Sequence, residues 1–283
     1  MNKLFKIDFK GKIVNFWQVS EFSKKKKIPH SVVLKQAFDQ GSLIYKNKYI
    51  LVDFIKYIEK NEKNLKSQLY QDLFASFVVK DYFNKTFLEF GATNGVDLSN
   101  TYKLENEFSW TGVLAEPDIN WINSLKKNRK NSKIITKCIW SKSDEKLNFF
   151  SSDESVFSTI DEFKHSDYMS MPGNTALRIG NGKNINVETI SLNHVIEQEF
   201  KGKSPSYISV DTEGSEFEIL NSFDFLKYQP AVFTIEHNFT DLEKKIDKLM
   251  IKYGYFRVFE NLTAFDAWYI SAKAKDSMNI SYF

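Results

Sequence analysis

Phe87 to Glu105 reads FLEFGATNGVDLSNTYKLE. Phe87, Leu88 and Phe90 form a short apolar run, as a buried strand would, interrupted by the charge of Glu89; Gly91, Ala92, Asn94 and Gly95 follow. A helical spacing of Leu98, Tyr102 and Leu104 then begins, with Asp97 and Ser99 near its start. Strand, glycine turn, helix is the opening unit of a nucleotide-binding α/β sheet. Glycine in such a turn lets backbone approach a ligand that a side chain would hold off. The helix N-terminus offers unpaired N–H groups. Taken alone, the turn also fits an ordinary tight connection.

Two later stretches bear on that choice. In WTGVLAEPD, Trp110 to Asp118, Val113 to Ala115 reads as a second buried strand ending in Glu116, and Pro117 ends the ladder because it has no N–H to give. An acidic residue at the end of the second strand is where ribose hydroxyls are held in such folds. In YISVDTEGSEFEIL, Tyr207 to Leu220, a third strand runs into Asp211 and Glu213, and Glu216 opens a helix with Phe217, Ile219 and Leu220 as its apolar face. Ligands of open α/β sheets sit at the carboxyl ends of strands, so Glu89, Glu116, Asp211 and Glu213 are expected on one rim.

These residues resemble the FkbM family of S-adenosylmethionine-dependent methyltransferases. That family carries an acidic-x-Gly-Ala-x-x-Gly turn, a strand ending in Glu-Pro, and Asp-x-Glu-Gly-x-Glu before a helix; all three occur here in order, over about residues 67–271. The resemblance implies an α/β, Rossmann-like class I methyltransferase sheet with S-adenosylmethionine as cofactor. It implies cofactor contacts at Glu89, Gly91, Ala92, Asn94, Gly95, Glu116 and Pro117, with Ser141 beyond the third strand beside adenine.

Ala231 to Glu236 reads as a further buried strand, followed by His237 and Asn238. Catalysis is assigned to His237, Asp211 and Glu236: methyl transfer to an alcohol needs a base for the hydroxyl proton, and imidazole is the side chain best poised for that near neutral pH. Asp211, Glu213 and Glu236 could also hold Mg2+, which favours oxygen ligands. The expected reaction is O-methylation of a hydroxyl on a sugar, glycan or secondary metabolite. The alternatives are the same enzyme tethered to nucleic acid, or a non-catalytic scaffold that kept the fold.

The rest of the chain is read around this core. Residues 1–66 hold fifteen lysines against six carboxylates, so that segment carries +9 and the remainder −6 of the overall +3. This places a boundary near residue 62, giving a small basic domain, 1–62, and a methyltransferase domain, 63–283. Ser20, Ser31 and Gly41 punctuate two short helices. Leu43–Tyr45 and Tyr49–Leu51 read as a hairpin around Lys46-Asn47-Lys48, and Phe54, Ile55 and Ile58 as a third helix. The layout loosely resembles the winged helix-turn-helix of excisionase-type domains. It suggests either nucleic acid as a partner, with Lys24–Lys27 on phosphates and Lys35 and Gln36 reading bases, or a degenerate fold used for docking or dimerisation with a solvated lysine run. The methyltransferase domain is expected to fold without it.

Ile134, Ile135, Ile139 and Trp140 read as one strand, and Leu147–Phe150 and Ile185–Ile190 as two more. The polar stretch from Ser151 to Asn184 reads either as a lid or acceptor-binding insertion, with His165, Tyr168 and Arg178 as candidate contacts, or as an ordinary surface loop. His194 falls on a helix and reads as a structural histidine. No apolar run reaches the ~18 residues of a membrane span, and no leader is evident at the N-terminus. The single cysteine, Cys138, cannot form an intrachain disulfide, which fits a reducing, cytoplasmic setting. A homodimer is compatible with all of this.

Overall fold

A computed structural model describes residues 7–9, 11–80, 82–152, 157–166, 176, 178, 180 and 182–278. In chain order the strands are β1 Thr86–Phe90, β2 Thr111–Ala115, β3 Lys133–Ile135, β4 Cys138–Trp140, β5 Lys146–Ser152, β6 Thr159–Ile160, β7 Gly182–Ser191, β8 Tyr207–Val210, β9 Val232–Glu236, β10 Tyr255–Val258 and β11 Asp266–Ser271. The helices are α1 Phe16–Lys26, α2 His30–Asp39, α3 Lys48–Asn61, α4 Gln71–Val79, α5 Tyr102–Phe108, α6 Ile119–Asn128, α7 Leu192–Glu199, α8 Glu216–Asn221, α9 Leu242–Lys252 and α10 Ala272–Ser277.

The main sheet has seven strands in the order β10-β11-β9-β8-β1-β2-β3. β1 lies parallel to both β2 and β8, and β8 parallel to β9, while β11 runs antiparallel to β9 and β10. The chain thus builds outward through β2 and β3, then crosses back to extend the other side from β8. Strand order reverses between β1 and β8, and crevices for ligands open at the carboxyl ends of such a pair. The expected α/β class holds. The expected strand from Ile134 to Trp140 is two strands: β3 stays in the main sheet, and β4 opens a second one, ordered β4-β7-β5-β6.

Side chains alternate along a strand, so each central strand feeds two cores. Phe87, Leu114, Tyr207, Val232 and Trp268 pack on one face, under α1–α5. Leu88, Phe90, Val113, Ile208, Val210, Phe233 and Ile235 pack on the other, against α7, α8 and α9. Continuing that alternation by one residue places Glu89, Asp211 and Glu236 on the first face and His237 on the second.

Among the described residues up to 62 the elements are the helices α1, α2 and α3, with no strand to form a wing. Tyr49–Leu51, expected as a strand, lies in the first turn of α3, where the Asn47 side chain accepts from the amides of Tyr49 and Ile50. The apolar spacing of Ile50, Leu51, Phe54, Ile55 and Ile58 is one helical stripe, fully buried. That stripe belongs to the same core as the sheet. Phe54 stacks on Phe259 with ring centroids 5.4 Å apart, Phe16 meets Phe259 at 5.6 Å and Trp268 at 5.7 Å, and the Phe16 amide donates to the Leu262 carbonyl at 2.8 Å. The charge break near residue 62 is therefore a change of surface and not a division of the core.

The lysine run has a local cause as well. Lys24, Lys25 and Lys26 occupy the last turn of α1, where cations suit the carbonyl end of a helix, and Lys27 caps it with a left-handed φ of 54°. Lys35 pairs with Glu59 at 2.6 Å and Gln36 accepts from the Ile7 amide at 2.8 Å, so both expected base readers are engaged within the protein. Among the described residues no helix is long and apolar enough to cross a membrane.

Candidate active site

A cleft of about 290 Å3 opens at the carboxyl ends of β1, β2, β8 and β9. Its floor is the turn after β1. Gly91 has φ +74°, and a Cβ there would lie 1.9 Å from the Asp211 carbonyl oxygen, so glycine is required by the close approach of β1 to β8. Ala92 and Thr93 face the cleft. Asn94 and Gly95 do not line it. The Asn94 side chain accepts from the amides of Val96 and Asp97, closing the turn, and a Cβ on Gly95 would strike Leu125 and Arg129 at 2.6 Å. The two residues set the loop's shape from behind.

Glu89 is buried and serves the same loop. Its carboxylate accepts from the Asn100 amide at 2.7 Å, from the Ser99 hydroxyl at 3.0 Å and from the Thr101 hydroxyl. Beneath it lies Arg129, fully buried, with Nε on Glu105 at 2.7 Å and its other nitrogens donating to the Gly95 carbonyl, Ser99 and Thr101. Glu89 is 3.7 Å away, so one guanidinium balances two carboxylates. Nothing in the sequence around Arg129, a surface-like KKNRKN, announces this role. Arg129→Met should destabilise the protein by about 3–5 kcal/mol, the cost of leaving buried charge unpaired. Thermal unfolding of the variant checks it, and an unchanged melting temperature would contradict it.

Glu116 stands where expected, at the end of β2, buried and lining the cleft beside Pro117. It accepts from the Thr93 amide at 2.8 Å and the Asp118 amide at 2.8 Å, tying the β1 turn to the β2 turn. Burial pushes its carboxyl up to about 7 despite those two amides. Ser141 does not line the cleft. Cys138, Ile139 and Phe149 do, and they form an apolar wall next to Glu116.

On the other side stand Asp211, Glu213 and Glu236, with carboxylate oxygens within 4.8 Å of one another. The register pairs Val210 with Ile235, which carries Asp211 and Glu236 side by side off neighbouring strands. Burial, above all, raises both carboxyls, Asp211 to about 7 and Glu236 well above its ordinary value, with the charge of Asp211 adding to the rise in Glu236. Near neutral pH the pair therefore holds a proton. Glu213 differs: its Oε2 meets the fully buried Arg178 at 2.5 Å and lies 3.4 Å from Asn238 Nδ2. Glu216 is spent on its own loop, accepting from the amides of Thr212 and Gly214.

His237, expected as the general base, faces away from the cleft. It does not line the cleft; its Nδ1 accepts from the Phe239 amide at 3.2 Å, and its Nε2 points to Glu243 of α9 at 3.8 Å. Burial holds its imidazole below the ordinary histidine range. Period-two alternation at the end of β9 turns Glu236 toward the cleft and His237 away from it. Arg178 is likewise fixed by Glu213, and His165 is an exposed residue outside the cleft; Tyr168 lies outside the described residues. His194 is structural, bonded to Ser143 at 2.9 Å.

The expected acidic rim is present, and Asp97 joins it. Six carboxylates line the cleft (Glu89, Asp97, Glu116, Asp211, Glu213 and Glu236), with no lysine, arginine or histidine among the described lining residues. Two buried oxygens there, Asn100 Oδ1 and Glu236 Oε2, have no hydrogen-bond partner, and buried polar atoms of that kind call for a bound group.

Residues 89–257 match the family model of the methyltransferase FkbM domain. No curated protein matches the chain in sequence. Among solved structures, the chain is similar to precorrin-6y C5,15-methyltransferase from Geobacter metallireducens GS-15, at 10% identity and a TM-score of 0.39, over 70% of this chain and 76% of that one. It is also similar to the SAH-bound methyltransferase PaMTH1 of Podospora anserina, at 10% identity and a TM-score of 0.37, over 77% of this chain and 86% of that one.

Proposed function

The chain belongs to the FkbM methyltransferase domain family, and from that premise we propose that it methylates a hydroxyl of a sugar, glycan or other polyhydroxylated metabolite, with S-adenosylmethionine as donor. The observation that carries the O-methyl reading is the Asp211–Glu236 pair on the cleft wall. Two adjoining carboxyls with raised proton affinity can accept a hydroxyl proton near neutral pH.

The residues present suit the donor. The Ala92–Thr93 turn and Glu116 offer a polar edge to a ribose, and Cys138, Ile139 and Phe149 offer an apolar wall to a flat base. The acidic lining and the unpartnered Asn100 and Glu236 oxygens favour a cationic group. Bound here, S-adenosylmethionine supplies a methyl group that an acceptor oxygen takes with loss of its proton. Asp211 takes that proton, its affinity raised by burial first and then by the charges of Glu216 and Glu89, and the surrounding burial excludes competing water. Glu89 and Arg129 keep the floor rigid.

Glu116→Ala should weaken S-adenosylhomocysteine by roughly 1.5–3 kcal/mol, about ten- to a hundredfold, through loss of a charge-assisted bond. Calorimetry on a variant with a wild-type circular dichroism spectrum checks this; unchanged affinity would take Glu116 out of the cofactor site. The reaction itself is tested by transfer of labelled methyl from S-adenosylmethionine to a library of glycosides and hydroxylated metabolites.

A second reading has one observation in its favour. Asp211, Glu213 and Glu236 lie close enough together to hold a divalent cation such as Mg2+, which would lower an alcohol's pKa. Arg178 already neutralises Glu213, which disfavours it. Activity that survives EDTA supports the carboxylate mechanism; activity lost in EDTA and restored by Mg2+ supports the cation. A nucleic-acid tether through residues 1–62 would show as salt-sensitive affinity for duplex DNA.

A further inference from the structure

Three residues of the cleft come from outside the family domain: Trp17 on α1, Gln68 before α4, and Phe265 before β11. The face alternation explains why. Asp211 and Glu236 project to the side of the sheet that the N-terminal helices cover, so those helices close the cleft on that side.

Trp17 is held in place there. Its neighbour Phe16 is fully buried among Phe54, Tyr70, Phe259 and Trp268. The first turn of α1 is fixed by a capping box between Asn15 and Gln18. The indole meets Phe265 edge-on at 6.4 Å, and the Phe265 carbonyl accepts from the amides of His237 and Asn238, next to Glu236. Yet Trp17 remains 40% exposed. A rigid, half-open indole at the edge of an acidic cleft is suited to an incoming ring.

Resting on the methyltransferase reading above, we propose that α1 completes the acceptor subsite. Trp17 is the platform for the apolar face of a neutral carbohydrate ring, with the Gln68 and Asn238 amides at its hydroxyl edge. The electronegative face of an aromatic ring suits the C–H groups on one side of a pyranose. Pockets of this sort combine apolar walls with a few convergent polar groups. Among the described lining residues there is no lysine, arginine or histidine to pair with a phosphate or carboxylate, which favours neutral acceptors. The N-terminal layer is then a specificity element.

The test uses the full chain saturated with S-adenosylhomocysteine. Saturation-transfer NMR is run with methyl glucoside, methyl rhamnoside and methyl fucoside, with glucose 6-phosphate and glucuronate as anions, and with catechol as a flat aromatic. A neutral glycoside should take saturation at its ring protons. Trp17→Ala should weaken it about tenfold or more, as loss of an aromatic anchor does, and Trp17→Phe should recover part of the loss. S-adenosylhomocysteine affinity should be the same in all three proteins. Equal glycoside affinity in Trp17→Ala would overturn the proposal, as would binding of the anions or catechol alone, or retained S-adenosylhomocysteine binding with no glycoside bound. If the wild type bound no S-adenosylhomocysteine, the methyltransferase reading would fall first and this proposal with it.

Discussion

Asp211→Asn is expected to cut methyl transfer by about 10²–10⁴-fold, the usual cost of a lost general base, while S-adenosylhomocysteine binds nearly as before. The same substitution should raise the melting temperature at pH 8. The sign follows from linkage. Asp211 has its carboxyl raised by burial from the ordinary 3.8 to about 7, so between those values the folded protein holds a proton that the unfolded chain has lost. Stability is then greatest on the acid side of that window and falls as pH rises through about 7, where the folded pair must ionise. An amide at 211 removes that burden. Turnover of the wild type should climb with pH through the same range, as the pair becomes free to take a proton. His237→Ala is the control: it should change turnover only a few-fold, because its imidazole faces α9. A large loss of turnover in His237→Ala, or full activity in Asp211→Asn, would contradict this assignment.

Deleting residues 1–62 is expected to leave no cooperatively folding domain. Removing α1 and α3 strips Phe16 and Phe54 from Phe259, Trp268 and Phe74, which are buried in the intact chain. A buried phenylalanine is worth ~3–5 kcal/mol, and a whole domain has only about 5–15 kcal/mol of stability, so losing two such contacts suffices. In the full chain, Phe54→Ala alone should cost ~3–5 kcal/mol in denaturant unfolding. A soluble fragment 63–283 that melts cooperatively and binds S-adenosylhomocysteine would contradict the shared core.

The sheet was legible because its strands carry their signals locally. Each apolar run ends in an acidic or glycine turn, and the three motifs keep their order. Face assignment was legible too, in principle: counting by two from Tyr207 and Val232 puts Asp211 and Glu236 on one face and His237 on the other. Chemical aptitude drew attention to the histidine, but backbone parity decided where it points. The supposed wing failed for a related reason. Tyr49–Leu51 is too short to distinguish strand from helix, and the cap at Asn47 settled it. Gly91 reads from sequence as making room for a ligand, yet the group it makes room for is a neighbouring strand's carbonyl. Arg129 and Trp17 could not be found locally at all. One is a guanidinium drawn under a loop some thirty residues earlier in the chain, and the other is an aromatic brought to the cleft only when α1 packs across the sheet.

Titration calorimetry of the full chain with S-adenosylhomocysteine tests whether this cleft is a donor site. A saturable one-site isotherm is expected, weakened about ten- to a hundredfold in Glu116→Ala and unchanged in Trp17→Ala. No heat of binding from a folded wild-type protein, or an isotherm indifferent to Glu116, would contradict the donor-site reading.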